Sequence, residues 1–245
     1  MKKKRLLITA IIIIVFTSSL FCEDPNGIIK KVDQLMYPNS KTELYLRFEK
    51  KGKLDSEYKM TAYGKSLNQK IIIRFTYPGL VVGNDMIFLE KNVWQFDKQS
   101  GRIIKIPSNM TFGDTGFSYG DVVRLNMTDN YNAEIKSEDS DKWTINLISK
   151  ERNAPYFRIE LDVKKEFYYP VKGVCYGKNN EIIKIMNYTD IKEFNGKKKP
   201  AKIVVTSPSS PDDVSSLTTT SETIKEYPDR IYNKNNLEMR VEENL

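Results

Sequence analysis

Thr42, Leu44, Leu46 and Phe48 alternate with Glu43, Tyr45, Arg47 and Glu49. A period of two puts the first set on an apolar face of a strand and the second on a wetter one. Tyr58, Met60 and Ala62 repeat the pattern beyond a turn at Lys51-Gly52-Lys53. Residues 69–77 form a denser β-branched run that Pro78-Gly79 closes. Strand-like runs follow at 85–89, 93–97, 101–106, 131–137, 142–149, 156–163, 171–177, 182–190, 201–207 and 215–226. One helix precedes them: Asp24-Pro25-Asn26-Gly27 can start it, and Ile28, Ile29, Val32, Leu35 and Met36 share one face. Pro38 ends it, because proline disfavours helix at the residue before it. Two stretches break the rhythm: residues 107–125, rich in Gly, Asp, Ser and Phe, and residues 207–213, which read as a long polar loop. The pattern predicts a mainly β protein. Its large antiparallel sheet curls or closes over its apolar face, with an N-terminal helix and short helical pieces as a lid.

The first residues follow another logic. Lys2, Lys3, Lys4 and Arg5 form a basic head, Leu6 to Thr17 are nearly all aliphatic, and Ser18-Ser19-Leu20-Phe21-Cys22 close the segment. This is the order of a secretory signal peptide, and the run is shorter than the ~20 residues a membrane-spanning helix needs. We therefore expect a signal peptide over residues 1–22 and one domain over residues 23–245. Cleavage after Cys22 is one expectation. Lipidation of Cys22, as in bacterial lipoproteins, is the other, although Phe21 stands where those proteins usually carry a small residue.

Charge then changes little. The chain has 39 Lys+Arg against 32 Asp+Glu, a net charge of +7. Four of the positive residues lie in the basic head, so residues 23–245 carry only +3. That is poor support for a nucleic-acid partner, and none is expected. Histidine is absent, which removes the commonest general base, the Ser-His-Asp and Cys-His pairs, and nearly every zinc site. Cys175 lies in an apolar-flanked strand pattern and reads as a buried structural thiol. Glu138-Asp139-Ser140-Asp141 and Asp212-Asp213 lack the spacing of a calcium loop. Lys197-Lys198-Lys199 could meet anionic headgroups but reads first as a solubilising hairpin tip. No catalytic residue, metal or cofactor is expected.

An all-β protein needs an apolar inner face merely to fold. Here that face is built from large, pliable side chains: Leu44, Leu46, Phe48, Met60, Met86, Phe88, Trp94, Phe96, Trp143 and Phe157. Curved sheets of this size can leave a cavity that such side chains line. Without convergent charges, an apolar guest fits better than a polar one.

Several stretches resemble the LolA-like outer-membrane lipoprotein-sorting proteins. Ile28-Ile29-Lys30-Lys31-Val32-Asp33 with Tyr37-Pro38 resembles the first helix of one branch. Val93-Trp94-Gln95-Phe96-Asp97, residues 101–107 and Gly116-Phe117-Ser118-Tyr119-Gly120-Asp121 resemble its most distinctive motif. Tyr169-Pro170-Val171-Lys172, residues 188–192 and residues 231–237 are similar to its second half. One departure stands out: Gly116 and Gly120 occupy places where the branch usually has acidic residues.

The resemblance implies a half-open β-barrel whose cavity shields acyl chains, with Phe117, Tyr119 and Asp121 on a lid or docking loop. It implies a non-catalytic periplasmic carrier of lipoprotein or lipid cargo, acting as a monomer between membrane-embedded donor and acceptor complexes. The alternative is a structural or interaction protein of the envelope. One form of it is an exporter-associated lipoprotein anchored through Cys22.

Overall fold

Burial in the first strand follows the period of two. In β1 (Ser40–Lys50), Thr42, Leu44, Leu46 and Phe48 are buried and the residues between them are half-exposed. The computed structural model describes residues 23–89, 92–123, 126–152 and 154–238. The basic head, the aliphatic run and Cys22 lie outside the described residues.

β1 pairs antiparallel with β2 (Lys53–Lys65) on one side and with β13 (Ser210–Ile224) on the other. Beyond β2 the chain meanders through β3 (Lys70–Tyr77), β4 (Met86–Leu89), β5 (Asn92–Asp97) and β6 (Arg102–Ile106). The second half runs through β7 (Tyr131–Glu138), β8 (Lys142–Ser149), β9 (Arg158–Lys164), β10 (Pro170–Tyr176), β11 (Ile182–Phe194) and β12 (Lys197–Ser207) to β13. The sheet order is β6-β5-β4-β3-β2-β1-β13-β12-β11-β10-β9-β8-β7. Strands consecutive in the chain are therefore neighbours, except β6 and β7, which form the two edges. The curved sheet stays open between them: a half-open barrel with a seam.

Residues 107–130 connect the edges and carry two short helices, α2 (Tyr119–Val122) and α3 (Met127–Asn130). The N-terminal helix α1 (Pro25–Met36) is capped by the Asp24 carboxylate, which accepts from the amides of Asn26 (3.3 Å) and Gly27 (2.9 Å). Its apolar stripe of Ile28, Ile29, Val32 and Met36 is buried in the main core.

The isoleucine run of β3 has a simple cause. Ile71 and Ile73 join the main core with Met86 and Phe88, whereas Ile72 and Ile87 face the other way, with Tyr63. There the last described segment covers them with Tyr227, Ile231, Tyr232 and Leu237. Both faces of β3 and β4 are buried here, so these strands lose the alternation. Lys65 and Lys70 hold that segment through Asp229, at 3.2 and 2.9 Å. Arg74, paired with Asp85, donates to the Leu237 carbonyl at 2.5 Å.

Two local expectations change. Residues 207–213 are not a long loop: the chain turns tightly after Ser207, and Ser210 to Asp213 already belong to β13. Pro211 falls where the β12–β13 register slips, a place that tolerates its missing N–H. Lys197 and Lys198 flank the Asn195-Gly196 turn, whose φ values of 51° and 76° suit Asn and Gly. Lys199, in contrast, is buried. Its ammonium meets Glu222 at 2.7 Å and donates to the Leu35 carbonyl at 3.1 Å.

Candidate functional site: the plugged concave face

Seven of the ten cavity candidates lie buried on the concave side: Leu44, Leu46, Phe48, Met60, Met86, Phe88 and Trp143. The other three do not. Trp94 and Phe96 pack with the second cluster on the convex face, and Lys234 sits 3.9 Å above the Trp94 ring. In β5 it is Val93 that joins the main core, so the alternation of the strand runs opposite to the expected phase. Phe157 is 49% exposed, because β9 starts at Arg158 and Tyr156 turns inward in its place.

What covers the concave face comes from the connection between the two edge strands. Phe112, Phe117, Val122, Val123 and Met127 all insert into the main core. Phe112 stacks on Phe75 with centroids 5.9 Å apart and meets Tyr58 and Tyr119 edge-on at 5.2 and 5.3 Å. The segment thus acts as a plug. Its fold is local: Phe112 donates to the Phe117 carbonyl at 2.9 Å, and Ser118 and Asp121 form a reciprocal cap on α2.

Polar contacts hold the plug at three places. The Asp121 carboxylate accepts from the Lys184 ammonium (2.8 Å), the Tyr156 hydroxyl (2.6 Å) and the Ser118 amide (2.7 Å). Lys184, only 5% exposed, also donates to the Gly116 carbonyl at 2.5 Å. Burial pushes the Asp121 carboxyl up, but Lys184, Tyr156 and the Ser118 amide outweigh it and hold the group below its ordinary range. Burial also pushes the Tyr156 phenol well up, which keeps it a donor.

The second place is Asp33 on α1, fully buried. Its oxygens accept from the amides of Met127 (3.1 Å) and Thr128 (2.7 Å) and from the Thr128 hydroxyl. Here burial wins, and the carboxyl rises to about 6. The third place is the turn after β2. Asn126 donates to the Leu67 carbonyl at 2.9 Å, and Gln69 donates to Asp129 at 2.8 Å.

Gly116 explains a departure noted in the sequence. A Cβ there would lie 3.2 Å from a Val205 methyl carbon and 3.3 Å from the Ser215 hydroxyl, and the Gly116 amide donates to that hydroxyl at 2.8 Å. A side chain there is tight: the Val205 methyl and the Ser215 hydroxyl must give by a few tenths of an ångström to admit even a Cβ. Sequence reasoning identified Phe117, Tyr119 and Asp121 but missed Phe112, Val122, Val123, Asp33, Tyr156 and Lys184. The apolar residues scattered through an otherwise polar stretch were the available signal for the first three.

The space beneath the plug is small, about 70 Å³, and partly open to the surface, lined by Phe117, Met127, Tyr131, Tyr156, Met186 and Tyr188 among others. Two open grooves of about 720 and 610 Å³ flank Phe88 and Asn130 at the seam. Burial pushes the Cys175 thiol far up, as befits a structural cysteine. Among the described residues, no group of three or more His, Cys, Asp or Glu is placed to hold a metal ion. None of the described helices is long and apolar enough to cross a membrane.

The fold is similar to those of a LolA superfamily protein and of two further proteins of known structure. A LolA superfamily protein from Nitrosomonas europaea superposes with a TM-score of 0.78 at 20% identity, over 87% of this chain and 99% of that one. A DUF1329 family protein from Desulfovibrio piger gives 0.74 at 15% identity, over 88% and 100%. A structure described as an outer membrane lipoprotein-sorting protein domain, from Vibrio parahaemolyticus, gives 0.71 at 16%, over 86% and 97%. No curated protein matches in sequence. The model of a family described as "uncharacterized protein" matches residues 67–239, and the chain belongs to that family.

Proposed function

We propose that this protein is a non-catalytic periplasmic carrier that takes up the acyl chains of a lipoprotein or lipid on its concave face and releases them to an acceptor. One observation carries the reading: the apolar face is covered by the connection between the two edge strands, not by more sheet. Phe112, Phe117, Val122, Val123 and Met127 supply that cover. Burying five such side chains is worth roughly 8–15 kcal/mol gross at ~1.5–3 kcal/mol each. A 16-carbon chain is worth on the order of 12 kcal/mol gross. Guest and plug are therefore closely matched competitors for one surface, as reversible transfer requires. Direction then comes from differences in affinity among donor, carrier and acceptor.

The test is native mass spectrometry of the mature protein released gently from its own envelope fraction. A near one-to-one complex with lipid or acylated peptide is the expected result. A mechanical control follows from the geometry. A Cβ at position 116 lies 3.6 Å from the Ser215 Cβ, within the disulfide range of about 3.5–4.5 Å. The pair Gly116→Cys and Ser215→Cys should lock the plug when oxidised and abolish loading, with recovery on reduction. Loading that ignores the lock would exclude displacement of this part of the plug.

The interior space of about 70 Å³ favours a second reading, because ligand sites usually hold 300–1,000 Å³. On that reading the protein is a packed structural or docking component of the envelope, in one form anchored through a lipidated Cys22. A clean apo mass after incubation with vesicles and lipoprotein would favour it. An intact mass beginning at an unmodified Glu23 would exclude the anchor.

A further inference from the structure

The register places Lys197 and Ser40 at one end of the sheet and Tyr77 and Lys50 at the other. At the first end, the turn after β9 and the turn after β11 stand beside α1. They enclose a groove of about 420 Å³ lined by Lys31, Phe167, Tyr168, Lys197 and Lys198, with Glu193 on its rim. Phe167 is 38% exposed, at the tip of the turn after β9. It stacks on Tyr169 with rings 8° from parallel, and the Lys198 ammonium lies 5.7 Å from its centre. Lys197 and Lys198 are both exposed, and among the described residues neither has an ion-pair partner. An aromatic body ringed by unpaired cations is the composition of a membrane–water interface.

The same end receives the start of the described chain. Glu23 pairs with Lys31, and Tyr168 donates to Glu23 at 3.1 Å, so Glu23 lies against two residues that line the groove. We infer that this end of the protein rests on an anionic lipid bilayer, with Lys197 and Lys198 on lipid phosphates and Phe167 at the headgroup–acyl boundary. Glu193 and Glu166 lower the net charge of the rim. The two lysines and the ring therefore carry the contact, rather than a broad positive field. The inference stands apart from acyl-chain transport: it holds for a carrier that visits the membrane and for a packed protein that stays there.

The experiment uses the mature protein and vesicles of phosphatidylethanolamine with phosphatidylglycerol, set against vesicles of phosphatidylcholine alone. At ~1 kcal/mol per lysine near an anionic surface, Lys197→Gln with Lys198→Gln should weaken partitioning into the anionic vesicles by about 25-fold. Phe167→Ser should weaken it as well, and all three side chains are exposed enough for the variants to fold. Orientation is read separately, by a fluorophore on Phe167→Cys or on Leu80→Cys, with acyl-brominated lipid as quencher. Leu80 is 91% exposed at the opposite end, and buried Cys175 does not compete for the label. Quenching at 167 and none at 80 is expected, whether or not Cys22 bears a lipid. Equal binding by the double glutamine variant, or quenching at 80 in place of 167, overturns the inference.

Discussion

Asp121→Asn removes the charge at the centre of the plug's main latch and leaves Lys184 buried without its carboxylate. The two side chains are only 12% and 7% exposed, so solvent cannot replace the lost partner. Breaking a buried pair from one side costs about 3–5 kcal/mol. Lys184 keeps the Gly116 carbonyl at 2.5 Å, which places the expected loss at the lower end, about 3 kcal/mol. Lys184→Met should cost a similar amount by stranding Asp121. The double variant buries neither charge, so it should lose less than the sum, with a coupling of roughly 1–3 kcal/mol. Urea unfolding at neutral pH, with all four proteins followed by fluorescence, measures the cycle. Hydrogen exchange gives its location: amides at 110–123 should open about 100-fold more readily in Asp121→Asn, while those of β1 and β13 stay close to wild type. Because the Asp121 carboxyl is held below its ordinary value, its contribution is present above about pH 4 and is lost as pH falls further. Single variants that each cost under about 1 kcal/mol and add without coupling would refute the latch.

Asp33 carries the opposite sign. Its carboxyl rises from an ordinary 3.8 to about 6. Its contribution is therefore fully present below about pH 4 and lost as pH climbs through 6, a change on the order of 3 kcal/mol. The stability gap between wild type and Asp33→Asn should shrink over that window in denaturant titrations; a gap independent of pH would contradict the assignment. Trp94→Ala should cost about 1–3 kcal/mol and loosen residues 227–237 in hydrogen exchange while leaving lipid loading intact, since Trp94 lies on the convex face. Phe88→Ser should do the reverse, depressing loading, because Phe88 belongs to the concave core and both seam grooves. Gly116→Val should displace the plug, since a Cβ there already crowds Val205 at 3.2 Å, and the effect should appear as faster exchange at 110–123.

The alternation of β1 and the 3.6-residue stripe of α1 were legible because each element has one buried face, and a single period encodes one face. β3 to β5 were harder. Their second face is covered by residues 227–237, more than a hundred positions away, and burial on both faces erases the period that would assign Trp94 and Phe96 to a side. Phe157 failed for a smaller reason: it shares the phase of buried Ile159, Leu161 and Val163, but the strand begins only at Arg158, so the alternation does not extend back to it. The loop expected at 207–213 was overread from Pro211, whose proline penalty vanishes at a register slip. Asp33 and Lys184 were invisible as site residues, because a charge buried against a distant backbone amide or carboxylate has no local signature.

On the carrier reading the plug is the part that moves, and the topology allows it. β6 and β7 are the only neighbours in the chain that do not pair within the described sheet, so the connection between them crosses the opening without supplying a rung of any ladder. Thirteen strands can keep their hydrogen bonds while residues 107–130 move. What the movement must break is a short set of polar contacts (Asp121 with Lys184 and Tyr156, Gly116 with Lys184 and Ser215, Asp33 with α3, Asn126 and Asp129 with the turn after β2) together with five apolar insertions. The apolar term can be returned by a guest of similar hydrophobic weight; the polar term cannot, because an acyl chain offers Asp121 and Asp33 nothing. On the carrier reading the latches therefore set how tightly the empty protein stays shut. On the carrier reading, loosening Asp121 should raise the rate of lipid uptake as well as lower stability, whereas a packed structural protein should show only the second effect.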